Sequence, residues 1–544
     1  MFKMKDRLTY LLILVGVLSF SNADVCRLSN VFGDHMVLQH GTTITIWGFA
    51  NSGTTVKATI KGGDGVVATT GSDGIWRAQF KSMAASLTAL EFDFACSTGE
   101  TFGLRDVLLG EVVLCSGQSN MQFTIAQLGE QDGYSASAEL ATVPNYPYIR
   151  TTTVGDLNTS SIPLMELASP SLMPWSLPSN ASIGDGNWTA TSAVCWFYGK
   201  NLFESLKDVP IGLISSNWGG TPIEAWSDAD TNARCPLPSN LQKPESFHQN
   251  QIHSNLLRQD KLGSNYNFES DGDQPAPGQD SVLFNAMIYP YTVGPMGLSS
   301  IIWFQGESNF LNIQRGHDVL GRYACQQNAM VNSWRDYFKI ADLWFGFVEL
   351  EPWCFNGDAA LAEFRASQLS TATNLSNVGY AIGTDIGDPL GPFSSIHPRN
   401  KALVGARLAN TALNMQYNVK TQPIYIPPSY VSATDTSSGT TLSAAITLDL
   451  HGDTSLELTE DHCKTDIGVA PGTCAWFTLT SSDNTVYNAS VTISQDGKSL
   501  LLGATTSGSA PAKVVATSFG WGIWPINTIQ NKEGLPLQPW NMTL

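Results

Sequence analysis

Ser119 stands at the end of an apolar, β-branched run, Val107 to Leu114, that leads into Cys115-Ser116-Gly117-Gln118-Ser119-Asn120-Met121. A strand that ends in a small-residue turn can present a hydroxyl, and the amide after it, to a site outside the carboxyl edge of a sheet. Ser119 is therefore the candidate nucleophile. The sequence does not fit the G-x-S-x-G elbow of α/β-hydrolases, because Met121 occupies the place of the second glycine. Two further turns follow strand-like runs, Trp218-Gly219-Gly220-Thr221 and Gln305-Gly306-Glu307-Ser308-Asn309, and His397 occupies a fourth loop ahead of a helical pattern. Acyl transfer through serine needs a hydroxyl, a base, donors for the oxyanion and a group that orients the base. The four loops carry residue types for at least three of these.

The elements that position the loops read as strands alternating with helices. Ser192 can cap a helix whose apolar face includes Val194, Phe197, Tyr198, Leu202 and Leu206. Val209 to Ile214 is a buried-strand run ahead of the Trp218 turn. Phe284 to Tyr289 reads as helix, Ser299 to Phe304 as strand, Tyr323 to Phe338 as helix and Leu343 to Leu350 as strand. Ala360 to Thr371 (helix), Val378 to Gly383 (strand) and about Asn400 to Leu413 (helix) complete the series. Such alternation predicts a parallel sheet with its site on the carboxyl-end loops. Residues 24–105 and 421–544 instead show short alternating apolar runs between Gly, Ser and Asp turns, the pattern of all-β modules. The expected organisation is an α/β domain over 106–420, with a polar insertion at about 234–280, flanked by these two β modules.

With 544 residues the chain is long enough for several domains. Residues 1–23 read as a signal peptide: Lys3, Lys5 and Arg7 precede an apolar core, Leu11 to Leu18, and Ser21-Asn22-Ala23 suits cleavage. No later run approaches a membrane span. Six Asn-x-Ser/Thr acceptors, Asn158, Asn180, Asn187, Asn374, Asn488 and Asn541, agree with a secretory route, secreted or lysosomal. Nine cysteines allow a few disulfides there. Cys463 with Cys474 is the expected pair, and Cys115 is expected to be a buried free thiol. No Cys/His cluster has zinc-ligand spacing. A net charge of −18 argues against nucleic acid or an anionic membrane as partner.

GEVVLCSGQSNMQF, NWGGTPIEAW, FNAMIYP, IIWFQGESN and SIHPRNK, in that order, resemble the sialate O-acetylesterase family, a branch of the SGNH-type hydrolases. GDHMVLQ and IWGFANSG near the start, and GLPLQPW near the end, extend the resemblance over nearly the whole chain after residue 23. It implies an SGNH-like catalytic domain, with Ser119 as nucleophile and His397 as general base. The N–H groups of Ser119 and Gly220 would serve as oxyanion donors, with a side-chain amide from Gln305 or, second, Asn309. SGNH hydrolases commonly carry an orienting aspartate two or three residues before the histidine, where this chain has Ser395 and Ser394. Asp388 and Asp385 are the nearest upstream carboxylates, so either could complete a triad. A dyad oriented by a main-chain carbonyl is the other choice, and Glu307 reads as a brace.

The implied substrate is an O-acetylated sialic acid, whose carboxylate would call on Arg365, Arg399 or Lys401, and no metal or organic cofactor is implied. Acetyl-xylan or another acetylated glycan is the alternative substrate. A glycan-binding protein on an inactive hydrolase core is the alternative from another class.

Overall fold

The computed structural model describes residues 25–155, 159–168, 171–184, 186–239, 241, 275–353, 360–419, 425–452, 455–458, 477–506, 513–522, 524–525 and 529–544. Residues 1–23, Asn158, Cys463, Cys474 and most of 234–280 lie outside them.

One long strand, Thr101–Gly117, organises the chain. Its first half pairs antiparallel with Ser86–Cys96 in the N-terminal β region. Its second half lies at the centre of a sheet ordered Met173–Ser176, Ile149–Thr153, Ile211–Asn217, Thr101–Gly117, Ser300–Phe304, Trp344–Val348, Val378–Ala381. Neighbours pair in parallel except at the first, antiparallel edge. Asp106, where the texture of the sequence changes, adopts a left-handed backbone (φ 53°) inside this strand. The N-terminal β region and the sheet share one apolar core, to which Trp47 and Trp76 belong together with the sheet residues Val112 and Ile302.

Helices Ala193–Leu206, Arg322–Phe338, Ala360–Asn374 and Lys401–Met415 follow the expected alternation. Phe284 to Tyr289 differs: Phe284–Ile288 forms one wide turn and Tyr289–Thr292 a tight one, with Pro290 at its start. A proline has no N–H to continue a regular helix. Cys115 is not a free thiol. It is joined to Cys195 across a Cα–Cα distance of 5.9 Å, tying the central strand to the Ala193–Leu206 helix. Cys26–Cys96 and Cys235–Cys325 are also bonded.

Among the described residues the C-terminal region holds a seven-stranded antiparallel sheet and a two-stranded one, Leu456–Leu458 with Ile529–Asn531, around its own core, including Leu442, Leu479, Leu502, Phe519 and Trp540. It touches the α/β part close to the loops of interest. Trp524 packs where a side chain on Gly387 would otherwise stand, and Gln538 Nε2 donates to Glu349 Oε1 at 3.0 Å.

Candidate active site

Gly117 ends the central strand with φ 143°, and a Cβ there would stand 2.1 Å from Phe304 O. Only glycine lets the chain leave the sheet so close to its neighbour. Ser119 then opens a short helix, Ser119–Gln122. Its Oγ lies 2.9 Å from His397 Nε2, and His397 Nδ1 lies 2.6 Å from Phe393 O. A carbonyl oxygen can only accept, so Nδ1 carries the ring proton and Nε2 presents a lone pair to the Ser119 hydroxyl. In the neutral ring this is the tautomer that can accept the Ser119 proton.

The loop that carries His397 is closed on itself. Asp388 Oδ2 accepts from the Arg399 main-chain N–H (3.2 Å) and Nε (2.6 Å), and Oδ1 accepts from the same guanidinium (3.1 Å). Within the closed loop His397 N–H donates to Ser394 O at 3.1 Å, with Ser394 held at φ 66°. Of the two arrangements left open by the sequence, the contacts match the ring oriented by a main-chain carbonyl. Asp388 is engaged by Arg399, and Asp385 takes both its bonds from Arg407, at 2.7 Å each, while Nδ1 bonds to a main-chain oxygen.

Behind the Ser119–His397 pair lies a buried polar group. Asn120 Nδ2 donates to Ile396 O (2.8 Å) and to Glu307 Oε1, and Asn120 Oδ1 accepts from Lys401 Nζ (2.6 Å). The residue after Ser119 is thereby tied to the residue before His397. Lys401 Nζ sits 3.5 Å from Glu351 Oε2 and 5.0 Å from the centroid of the Phe304 ring. Burial pushes the Glu351 carboxyl up to about 8 and raises that of Glu307, while it lowers the Lys401 ammonium. Lys401→Met would leave two buried carboxyls without their cation and Asn120 Oδ1 without its donor. The expected cost is about 3–5 kcal/mol of stability, read by urea unfolding; unchanged stability would refute this role.

The Trp218–Thr221 turn rests on Ser119. A Cβ on Gly219 would stand 3.3 Å from Ser119 Cβ, and Gly219 N–H donates to Gln122 Oε1 at 2.7 Å. Gly220 follows at φ 72°. Gln305 and Asn309, expected as oxyanion donors, are instead buried braces. Gln305 Nε2 faces Gln118 Oε1 (3.1 Å), Thr221 O (3.1 Å) and Asn309 Oδ1 (2.8 Å), while its own Oε1 accepts from Tyr323. Asn309 Nδ2 donates to Glu224 Oε2, and its Oδ1 also accepts from Ile223 N–H.

Gln118, which sequence reasoning gave no role, stands apart from these braces. Its Oε1 is fixed by two donors, Gln305 Nε2 and Ser308 N–H at 3.2 Å, so its NH2 points away from the brace. The signal in the sequence was its position, immediately before the candidate nucleophile.

Compared with known proteins, the chain is 32% identical to sialate O-acetylesterase of Rattus norvegicus, over 72% of this chain and 74% of that one. It is 31% identical to the sialate O-acetylesterase of Mus musculus, over 75% and 77%. The chain belongs to the sialate O-acetylesterase family. Among solved structures, a carbohydrate acetylesterase from Xanthomonas citri matches 95% of this chain and 99% of its own, at 26% identity and a TM-score of 0.72. No protein-family model matches.

For this sialate O-acetylesterase relative, the cations expected to meet a substrate carboxylate are placed elsewhere. Lys401, Arg365 and Arg399 are 0%, 2% and 4% exposed. Arg365 donates to Leu350 O and Gly522 O, joining the α/β part to the C-terminal sheet. Arg399 closes the His397 loop and reaches Asp132, with its guanidinium 4.7 Å from the Tyr134 ring centroid. These charges are engaged with the framework of the site.

Proposed function

We propose that this chain is a serine esterase that removes O-acetyl groups from sialic acids, acting through an acetyl-Ser119 intermediate on an SGNH-like α/β domain. The observation that carries the reading is the 2.9 Å contact between Ser119 Oγ and His397 Nε2, with the ring proton held on Nδ1 by Phe393 O. His397 takes the Ser119 proton as Oγ attacks the acetyl carbonyl. The oxyanion of the tetrahedral intermediate is met by the N–H groups of Ser119 and Gly220 and by the Gln118 side-chain NH2. Collapse breaks the bond to the sugar oxygen, which leaves with the proton from His397. Water, deprotonated by the same base, then attacks the acetyl group and frees acetate and Ser119.

Asp388 acts in this scheme as a positioning residue. It closes the loop that carries His397, and the Asn120 contacts fix the serine side of the same pair. The three disulfides among the described residues and the exposed Asn180, Asn187, Asn374, Asn488 and Asn541 fit a glycoprotein of the secretory route, with N-glycans at these asparagines.

A neutral acetylated sugar is the second reading. It is favoured by the burial of Arg365, Arg399 and Lys401, which leaves the expected carboxylate partners out of reach. Acetate release from O-acetylated N-acetylneuraminic acid, measured beside release from acetylated xylan, decides between the two. The expected result is a higher kcat/KM on the sialic acid. A preference for xylan would transfer the assignment to neutral glycans.

A further inference from the structure

Trp188 lies beside the site but has no part in the steps above. Its backbone stands at φ 66°, a conformation that a bulky residue rarely adopts. Two glutamines from the segment after the nucleophile hold it there. Trp188 N–H donates to Gln127 Oε1 at 3.2 Å, and Gln122 Nε2 donates to Trp188 O at 3.2 Å. The other end of the Gln122 side chain holds Gly219 N–H, so one amide fixes both Trp188 and the turn that rests on Ser119.

The indole is held edge to face against three rings. Its centroid is 5.3 Å from that of His397, 5.4 Å from that of Phe393 and 6.0 Å from that of Phe123. It is half-buried, unlike the core tryptophans, and among the described residues no hydrogen bond engages its Nε1. The buried indoles of Trp226 and Trp334 donate to protein acceptors, and those of Trp47 and Trp344, which have none, are sealed in the core, whereas the Trp188 indole is partly exposed. A strained, doubly braced indole beside the catalytic base thus keeps open surface and a spare N–H donor. The C–H face of a pyranose meets both requirements, since its slightly positive hydrogens suit an aromatic face and its hydroxyls can accept from the indole.

We propose that Trp188 is the platform on which the sugar ring of the substrate stacks, so that it selects acetylated pyranosides over other acetyl esters. This rests on the esterase reading. The test uses the full chain with Trp188→Ala and Trp188→Phe, and two substrates: O-acetylated N-acetylneuraminic acid, and ethyl acetate, which carries the same acyl group without a sugar. The expected result for Trp188→Ala is a KM on the sugar ester raised about five- to tenfold at nearly constant kcat, the measure of one aromatic contact. Ethyl acetate kinetics should change less than about twofold, and Trp188→Phe should recover most of the lost affinity. Equal losses of kcat on both esters would overturn the proposal and make Trp188 a support for His397. Unchanged kinetics on both would overturn it as well. A wild-type chain that hydrolyses neither ester would count against the esterase reading itself.

Discussion

Replacing His397 with alanine should slow acetate release by about 10⁶-fold, and removing Ser119 as well should cost no more. The physical reason is that the two side chains act as one unit. Ser119 is a poor nucleophile until Nε2 takes its proton, and Nε2 at 2.9 Å has no other use in the first step. Losing either member therefore removes the same term, and the losses do not add. Rates for the two single variants and the double variant check this. Additive losses would mean that serine and histidine contribute through separate steps.

The Gln118→Ala variant should lose about 10²–10³-fold in kcat with little change in KM, the usual cost of one oxyanion donor. The Gln118 amide is already oriented, because Gln305 Nε2 and Ser308 N–H both hold its oxygen. A donor set in place before the reaction stabilises the developing charge without reorganising. Steady-state kinetics on the sugar ester read the effect, and Gln118→Glu offers a control of similar size that carries an acceptor in place of the amide donor. Turnover unchanged in Gln118→Ala would leave the oxyanion to main-chain groups alone.

Much of the framework was legible before the structure. The strand-and-turn pattern located the parallel sheet, and the residue types in the loops picked out Ser119 and His397, which the fold brings to hydrogen-bonding distance. What stayed hidden has a common cause. Every residue has a main-chain carbonyl, so nothing in Phe393 marked it as the partner of His397 Nδ1. Arg399 and Lys401 follow His397 closely in sequence and looked available to a ligand, but the choice between facing solvent and facing Asp388 or Glu351 is made by tertiary packing. Gln305 and Asn309 could equally serve as donors or braces by residue type, and only the neighbours Gln118, Thr221 and Glu224 decide. Cys115 and Cys195 are 80 residues apart, a pairing that no local pattern reveals.

The most direct measurement is acetate release from O-acetylated N-acetylneuraminic acid by the purified full chain beside its Ser119→Ala variant. The expected result is steady release by the wild type and none above the buffer blank from the variant. Release by Ser119→Ala at the wild-type rate would contradict the acetyl-Ser119 route and place the chemistry on another group.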